Sequence, residues 1–258
     1  MTDRPAGPLP LPAPIILVTA AADVQHKYLA VLTVGWGLDG QAWVLDWDEI
    51  DGDPLDPATF DALFQGLDAV RYVHPTHGPV PVHVVGVDAR FRSDEVRCAV
   101  AAVPKRGWAY TTVGEPGRLG QPMILPRLDQ RDAHGRRAGY RSLRLNTDGL
   151  KSSLMAALQL APGTRGSWHF PKRLDAEFYA QLTAEEVRPR FNDAGVEVGR
   201  SWVQTRERNE ALDTACGNLA LWHFVPDTNL VKHLVGLVGR DEARRQWTAL
   251  YPSGRRFV

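Results

Sequence analysis

The sequence contains little cysteine: Cys98 and Cys216 are the only two in 258 residues. Two isolated cysteines supply neither a disulfide framework nor a cysteine-rich zinc site. A disulfide-stabilised extracellular scaffold is therefore excluded, and we predict a protein that works in a reducing cytoplasm.

Long apolar runs, an excess of charge and several catalytic motifs are also absent. No stretch approaches the roughly 18 apolar residues of a membrane span, so we expect no membrane partner. The 30 lysines and arginines balance 30 aspartates and glutamates, so any nucleic-acid binding must come from local patches. There is no GxxxxGK[ST] phosphate loop of an ATPase, and neither a GxSxG motif nor a cysteine–histidine pair indicates covalent catalysis.

Two apolar runs, in contrast, end in an aspartate. Residues 15–23 read IILVTAAAD and residues 82–88 read VHVVGVD. Runs without polar alternation predict strands that are buried on both faces. The ends of such strands are where α/β sheets place their sites, so Asp23 and Asp88 are expected at one edge of a sheet.

The order of the predicted elements indicates the fold class. Residues 15–113 read as strand, strand, strand, helix, strand, helix, strand. This order predicts an α/β, RNase H-like fold: a mixed central sheet with an antiparallel three-stranded edge, helices on both faces, and an arginine-rich loop or hairpin region. We expect residues 1–14 to be a Pro-rich linker or tail, residues 15–225 the α/β domain, and residues 226–258 a C-terminal helical tail.

A helix predicted over residues 208–224 supplies a third carboxylate. Asp213 lies beside its apolar stripe, which includes Leu212 and Ala215. Gly217, one turn later, has no side chain, so this face of the helix can approach the sheet closely.

Three converging carboxylates would repel one another, and a divalent cation relieves such repulsion. One or two ions bound by Asp23, Asp88 and Asp213 would suit phosphodiester hydrolysis. Oxygen-only ligands indicate Mg²⁺ or Mn²⁺ and not zinc. The alternative is that these aspartates are simple turn formers or helix caps.

Five further residues are accessory candidates. Asn209, one turn before Asp213, is expected to hydrogen-bond to it. Glu210 is either an outer hydrogen-bonding group or a surface charge. Lys151 could contact a phosphate or be solvated, and Glu177 could be a fourth acid. His169 could assist proton transfer or contact DNA, although a structural role is favoured.

Residues 114–146 form the most basic stretch, rich in Gly, Pro and Arg and with little periodicity. A loop or hairpin of this kind can follow a phosphate backbone, although it could also be a solvated loop. The candidate DNA-binding residues are Arg118, Arg127, Arg131, Arg136, Arg137, Arg141 and Arg144.

Six short stretches carry a family resemblance. LVTAAADVQ with the following VGWG, DWDEIDGDP, VVGVDAR, TDGLKSSL, FYAQLTAEE and RNEALD occur in this order between about residues 15 and 224. Together they resemble the C-terminal nuclease domain of phage terminase large subunits of the lambda-type branch. The resemblance implies an RNase H-like, metal-dependent endonuclease that cuts concatemeric viral DNA at the start and end of head filling. By motif, Asp23, Asp88 and Asp213 occupy the places of the family's metal-binding acids.

The resemblance also implies partners: double-stranded DNA, an ATPase motor domain or subunit, the small terminase subunit and the portal, in the host cell cytoplasm. One departure is the sequence TVGEPG after the strand at residues 108–113, where the family would have a lysine–glycine pair. Two alternatives remain open. One is another RNase H-like nuclease, of the resolvase or repair type, and the other is a non-catalytic DNA-binding or docking module.

Overall fold

The fold is that of a computed structural model, which describes residues 9–70, 72–76, 78–105, 107–115, 127–131, 137–225 and 227–250. The strands of this part of the chain are β1 (Leu9–Pro10), β2 (Ile15–Val24), β3 (Tyr28–Gly37), β4 (Ala42–Asp51), β5 (Tyr72–His74), β6 (Gly78–Val80), β7 (Val84–Asp88), β8 (Ala109–Glu115), β9 (Arg127–Arg131), β10 (Arg137–Asn146), β11 (Trp168–His169), β12 (Glu185–Phe191) and β13 (Glu197–Gln204). The helices are α1 (Pro57–Ala69), α2 (Ser93–Ala102), α3 (Thr147–Leu158), α4 (Ala176–Leu182), α5 (Glu210–Phe224), α6 (Asp227–Val238) and α7 (Arg240–Leu250).

A central sheet of eight strands has the order β11-β4-β3-β2-β7-β8-β10-β9. Strands β2, β3 and β4 are antiparallel neighbours, and β7, β8 and β10 continue from β2 in parallel. This is the mixed sheet with antiparallel neighbours β2, β3 and β4 that the sequence predicts, so the mixed α/β fold class is confirmed. Two smaller units accompany it: the sheet β1-β5-β6 and the hairpin β12–β13.

Strand β2 lies in the middle of the sheet, and all ten of its residues are buried. Its two faces contribute to two separate cores. Leu17 belongs to the core that includes residues of α3, α5, α6 and α7, whereas Val18 and Ala20 belong to the core that includes residues of α1 and α2. Burial on both faces explains why the run lacks polar alternation.

The predicted N-terminal tail is only partly separate from the domain. Leu9 and Pro10 pair with Tyr72 and Val73 as a parallel two-residue strand, and Leu11 is buried. Residues 9–11 therefore pack on the α/β unit and do not extend away from it. The boundary at residue 15 itself stays a prediction.

The predicted helical tail contains α6 and α7. Leu234 on α6 and Trp247 on α7 are buried in the same core as α5, so these helices cover one face of the sheet. No helix in the described ranges combines the length and the apolar character needed to cross a lipid bilayer.

Candidate functional site

Three aspartates from three elements line one cleft, which we call the acidic cleft: Asp23, Asp88 and Asp213. Asp23 is the penultimate residue of β2, and Asp88 is the last residue of β7. These strands are parallel neighbours, so their carboxyl ends meet at the same edge of the sheet. Asp213 lies in the first turn of α5, which packs on β2.

The close approach of α5 to the sheet depends on Gly217. A Cβ atom at this position would lie 2.9 Å from Cβ of Ala21 on β2, which is closer than two carbon atoms can approach without repulsion. A side chain here would therefore push the helix off the sheet. The expectation that Gly217 permits close packing is confirmed.

The carboxylates are held in conditions that disfavour their charged forms. Burial, followed by the charges of Asp213 and Asp88, raises the pKa of Asp23 well above its usual range. Burial also raises the pKa of Asp88. Burial raises the pKa of Asp213 to about 6, despite the opposing effect of the nearby Lys151 ammonium. The ionised aspartates of the acidic cleft therefore repel one another, and a bound cation would relieve that repulsion.

Each aspartate accepts a hydrogen bond that fixes its orientation. Nε2 of Gln25 donates to Oδ2 of Asp23 at 2.8 Å. The backbone N–H of Arg90 donates to Oδ1 of Asp88 at 3.1 Å. Nδ2 of Asn209 donates to Oδ2 of Asp213 at 3.1 Å, which is the contact expected for Asn209.

The acidic cleft has the oxygen ligands of an Mg²⁺ or Mn²⁺ site, but its three carboxylates do not converge on one point. Its carboxylate oxygens are the ligands these hard cations prefer. Within the described ranges, however, no group of three or more His, Cys, Asp or Glu side chains is arranged to hold a metal ion. Binding a cation would therefore require the three carboxylates to draw together.

Two basic side chains, Lys151 and Arg90, also line the acidic cleft. Nζ of Lys151 lies 2.6 Å from Oε1 of Glu185 and 3.8 Å from Oδ1 of Asp213. Nη2 of Arg90 donates to the carbonyl oxygen of Gly114 at 3.3 Å. Gly114 lies near the end of β8, so Arg90 contacts the stretch in which the sequence lacks the expected lysine.

Glu185 is the acid that sequence reasoning missed. We predicted Glu177 as the fourth acid, but Glu177 accepts a hydrogen bond from Gln181 one turn further along α4 and does not line the acidic cleft. Glu185 begins β12 and bonds to both Lys151 and Asn209. The only available signal was its place in the quoted stretch FYAQLTAEE.

The structure distinguishes between the alternatives for two other accessory candidates. Glu210 is 3% exposed and accepts a hydrogen bond from the Tyr28 hydroxyl at 2.7 Å, so interpreting it as a surface charge was wrong. His169 lies outside the acidic cleft, on the edge strand β11. Its ring stacks on Trp43, and its Nε2 lies 2.9 Å from Oε1 of Gln41, which are contacts of a structural histidine.

The candidate DNA-binding arginines are only partly covered by the structure. Arg118 and Arg136 lie outside the described residues. Arg127 is in β9, Arg131 ends that strand, and Arg137 begins β10, with only their backbones described. Arg141 and Arg144 follow on β10 and are half-buried. Nη1 of Arg144 lies 2.8 Å from Oε1 of Glu115.

Comparison with known proteins identifies the family. The family described as terminase large subunit gpA, endonuclease domain, matches residues 3–230. The chain belongs to this terminase family. The predicted resemblance is confirmed, and membership separates the chain from nucleases of the resolvase and repair type. A nuclease role in phage DNA packaging follows from this membership.

Two solved structures are similar to this terminase domain at a low level. Both are of the nuclease domain of the large terminase subunit gp2 of bacterial virus Sf6. One, a mutant with manganese and β-thujaplicinol, has 11% identity and a TM-score of 0.41 and covers 81% of this chain and 89% of its own. The other has 11% identity and a TM-score of 0.39, with coverages of 79% and 87%. No curated protein matches the chain.

Proposed function

We propose that this terminase domain is a divalent-metal-dependent endonuclease that hydrolyses phosphodiester bonds of concatemeric viral DNA during genome packaging. The single observation that carries the proposal is the acidic cleft. Three aspartates from β2, β7 and α5 line it. Burial raises the pKa of all three, and repulsion from neighbouring acids adds to the rise at Asp23 and Asp213. Such an arrangement is costly for a protein that has no use for it, which supports a role in binding cations.

Asp23, Asp88 and Asp213 are the residues that would hold one or two Mg²⁺ or Mn²⁺ ions. When bound, such ions lower the pKa of a water and neutralise charge on a phosphate. The chain itself supplies orientation, since Gln25 and Asn209 donate hydrogen bonds to Asp23 and Asp213.

Positive charge beside the acidic cleft supports a nucleic-acid substrate. Arg90 and Lys151 line the cleft itself. The arginine-rich strand β10 pairs with β8 in the same sheet, and β9 pairs with β10 at the edge. We propose that the arginines of these strands contact the phosphates of double-stranded DNA, so binding would show little sequence preference. An ATPase motor, the small terminase subunit and the portal are the proposed partners, in the host cell cytoplasm.

A plasmid-nicking assay with Mn²⁺ or Mg²⁺ tests the proposed activity. Asp88→Ala should lower the cutting rate by roughly 100-fold or more, because losing one ligand removes several kcal/mol of transition-state charge stabilisation. DNA binding, measured by gel shift, should persist. Asp94→Ala is the matched control, because Asp94 is an aspartate with a 91% exposed side chain that pairs only with Arg97 in the described contacts.

Full cutting activity in Asp88→Ala would show that the proposed site is wrong. A wild-type chain that binds DNA but does not cut it with either ion would support the non-catalytic docking alternative. A thermal unfolding curve for each variant shows whether a loss of activity merely reflects a loss of fold.

A further inference from the structure

Glu185 joins the residues on one side of the acidic cleft into a network. Nζ of Lys151 donates to both carboxylate oxygens of Glu185, at 2.6 and 2.7 Å. Nδ2 of Asn209 donates to Oε1 of Glu185 at 3.0 Å and to Oδ2 of Asp213 at 3.1 Å. Glu185 thus contacts both Lys151 and Asn209, two groups that lie next to Asp213.

The network is shielded from water, so its charges interact strongly. The side chains of Lys151 and Glu185 are 12% and 7% exposed. A buried ammonium needs a charged partner, because an uncompensated charge in the protein interior is strongly unfavourable. In this structure that partner is Glu185, since Nζ lies more than 1 Å closer to Glu185 (2.6 Å) than to Asp213 (3.8 Å).

The backbone at Glu185 is also held in place. Glu185 is the first residue of β12, where it pairs with Gln204 of β13. The preceding carbonyl, that of Ala184, accepts hydrogen bonds from the backbone N–H of Thr205 at 2.7 Å and from its hydroxyl at 2.8 Å. These backbone contacts at the start of the β12–β13 hairpin therefore fix the position of Glu185, whose carboxylate binds Lys151.

We propose that Glu185 is a positioning residue of the nuclease site, which keeps the Lys151 ammonium from neutralising Asp213. The inference rests on the proposed function, since it takes Asp213 to be a cation ligand. Without the Glu185 charge, the buried ammonium pairs with Asp213, the nearest remaining carboxylate. Lys151 then neutralises the negative charge of Asp213 that a divalent cation needs, and the affinity of the site for that cation falls.

Mn²⁺ binding to the full chain without DNA, measured by titration calorimetry, tests this role independently of cutting. Glu185→Gln should weaken Mn²⁺ binding by roughly 10–100-fold, as is common for residues that support metal ligands. The double variant Glu185→Gln with Lys151→Met should restore the affinity to near the wild-type value, because it also removes the competing ammonium. Glu186→Gln is the matched control, since this neighbouring glutamate is exposed and pairs with Arg188.

Each other outcome overturns the proposal. Unchanged Mn²⁺ affinity in Glu185→Gln would mean that Glu185 does not protect Asp213. Weak binding in both the single and the double variant would mean that Glu185 is itself a ligand or only maintains the fold. Asp23→Asn separates this test from that of the proposed function: wild-type Mn²⁺ affinity in Asp23→Asn contradicts the three-aspartate site, whatever the Glu185 variants show. A wild-type chain that binds no Mn²⁺ would overturn both.

Discussion

At the scale of single residues, the buried carboxylate of Asp23 lowers the stability of the fold at the site that we propose to be functional. Asp23 is 8% exposed, and its only hydrogen-bond donor among the described contacts is Gln25. Burial and the charges of Asp213 and Asp88 raise its pKa, so its ionised form is less favourable in the folded than in the unfolded chain. Such local destabilisation is common at sites that bind ions or substrates.

The variant Asp23→Asn should therefore stabilise the metal-free protein at pH 8. The folded pKa is raised, so as pH rises above about 4 the unfolded chain loses its proton first and wild-type stability falls. The asparagine variant has no such loss. We expect a gain of about 1 kcal/mol at pH 8, or roughly 2–4 °C in Tm, that shrinks towards pH 5.

Thermal unfolding in EDTA at pH 5 and pH 8 measures this difference. Asp94→Asn is the control, because an exposed aspartate should show no pH-dependent gain. A Tm for Asp23→Asn that is equal to or below the wild-type value at pH 8 would contradict the electrostatic description of the acidic cleft.

At the scale of secondary-structure elements, the packing of α5 against β2 delivers Asp213 to the other two acids. The helix is buried along almost its whole length, and Asn218 on it accepts a hydrogen bond from the Thr19 hydroxyl of β2 at 2.6 Å. Gly217 lies where the helix comes close to Ala21 of β2. The position of Asp213 therefore depends on a residue that has no side chain.

Gly217→Ala should destabilise the protein, although alanine normally favours a helix over glycine by up to about 1 kcal/mol. The added Cβ meets Cβ of Ala21 at 2.9 Å, and overpacking of this kind costs about 1–3 kcal/mol. We expect a net loss of about 1 kcal/mol in urea unfolding at 25 °C.

Gly236→Ala, in helix α6, should have the opposite effect on stability. A Cβ at Gly236, within α6, would meet nothing within 4 Å, so alanine should stabilise by up to about 1 kcal/mol. If Gly217→Ala stabilised the protein as much as Gly236→Ala, the close contact between α5 and β2 would not hold in solution.

At the scale of the whole molecule, the sequence predicts most of the central sheet because its strands up to β8 each carry their own signal, whereas β9 and most of β10 lie in the arginine-rich stretch of little periodicity. Strands β2 and β7 are continuous apolar runs, which are typical of strands buried on both faces. The apolar stripe of α5 and Gly217 are likewise visible in the local sequence, and they indicate which face of the helix packs on the sheet. These patterns place Asp23, Asp88 and Asp213 on elements whose ends converge.

The network around Glu185 has no comparable local signal. Glu185 meets Lys151 across 34 positions of the sequence, and the contact depends on how the hairpin β12–β13 is placed beside α3. Only the tertiary packing decides that Glu185, and not Glu177, contacts Lys151 beside the acidic cleft. The hydrogen bond that Glu210 accepts from Tyr28 likewise joins residues 182 positions apart.

The central claim is that Asp23, Asp88 and Asp213 together bind a divalent cation. Anomalous X-ray diffraction from crystals soaked in Mn²⁺ tests it most directly. The account predicts one or two Mn²⁺ peaks in the acidic cleft, each within roughly 2.0–2.3 Å of carboxylate oxygens from at least two of the three aspartates. Crystals that bind Mn²⁺ elsewhere, or not at all, and leave this cleft without an anomalous peak would contradict it.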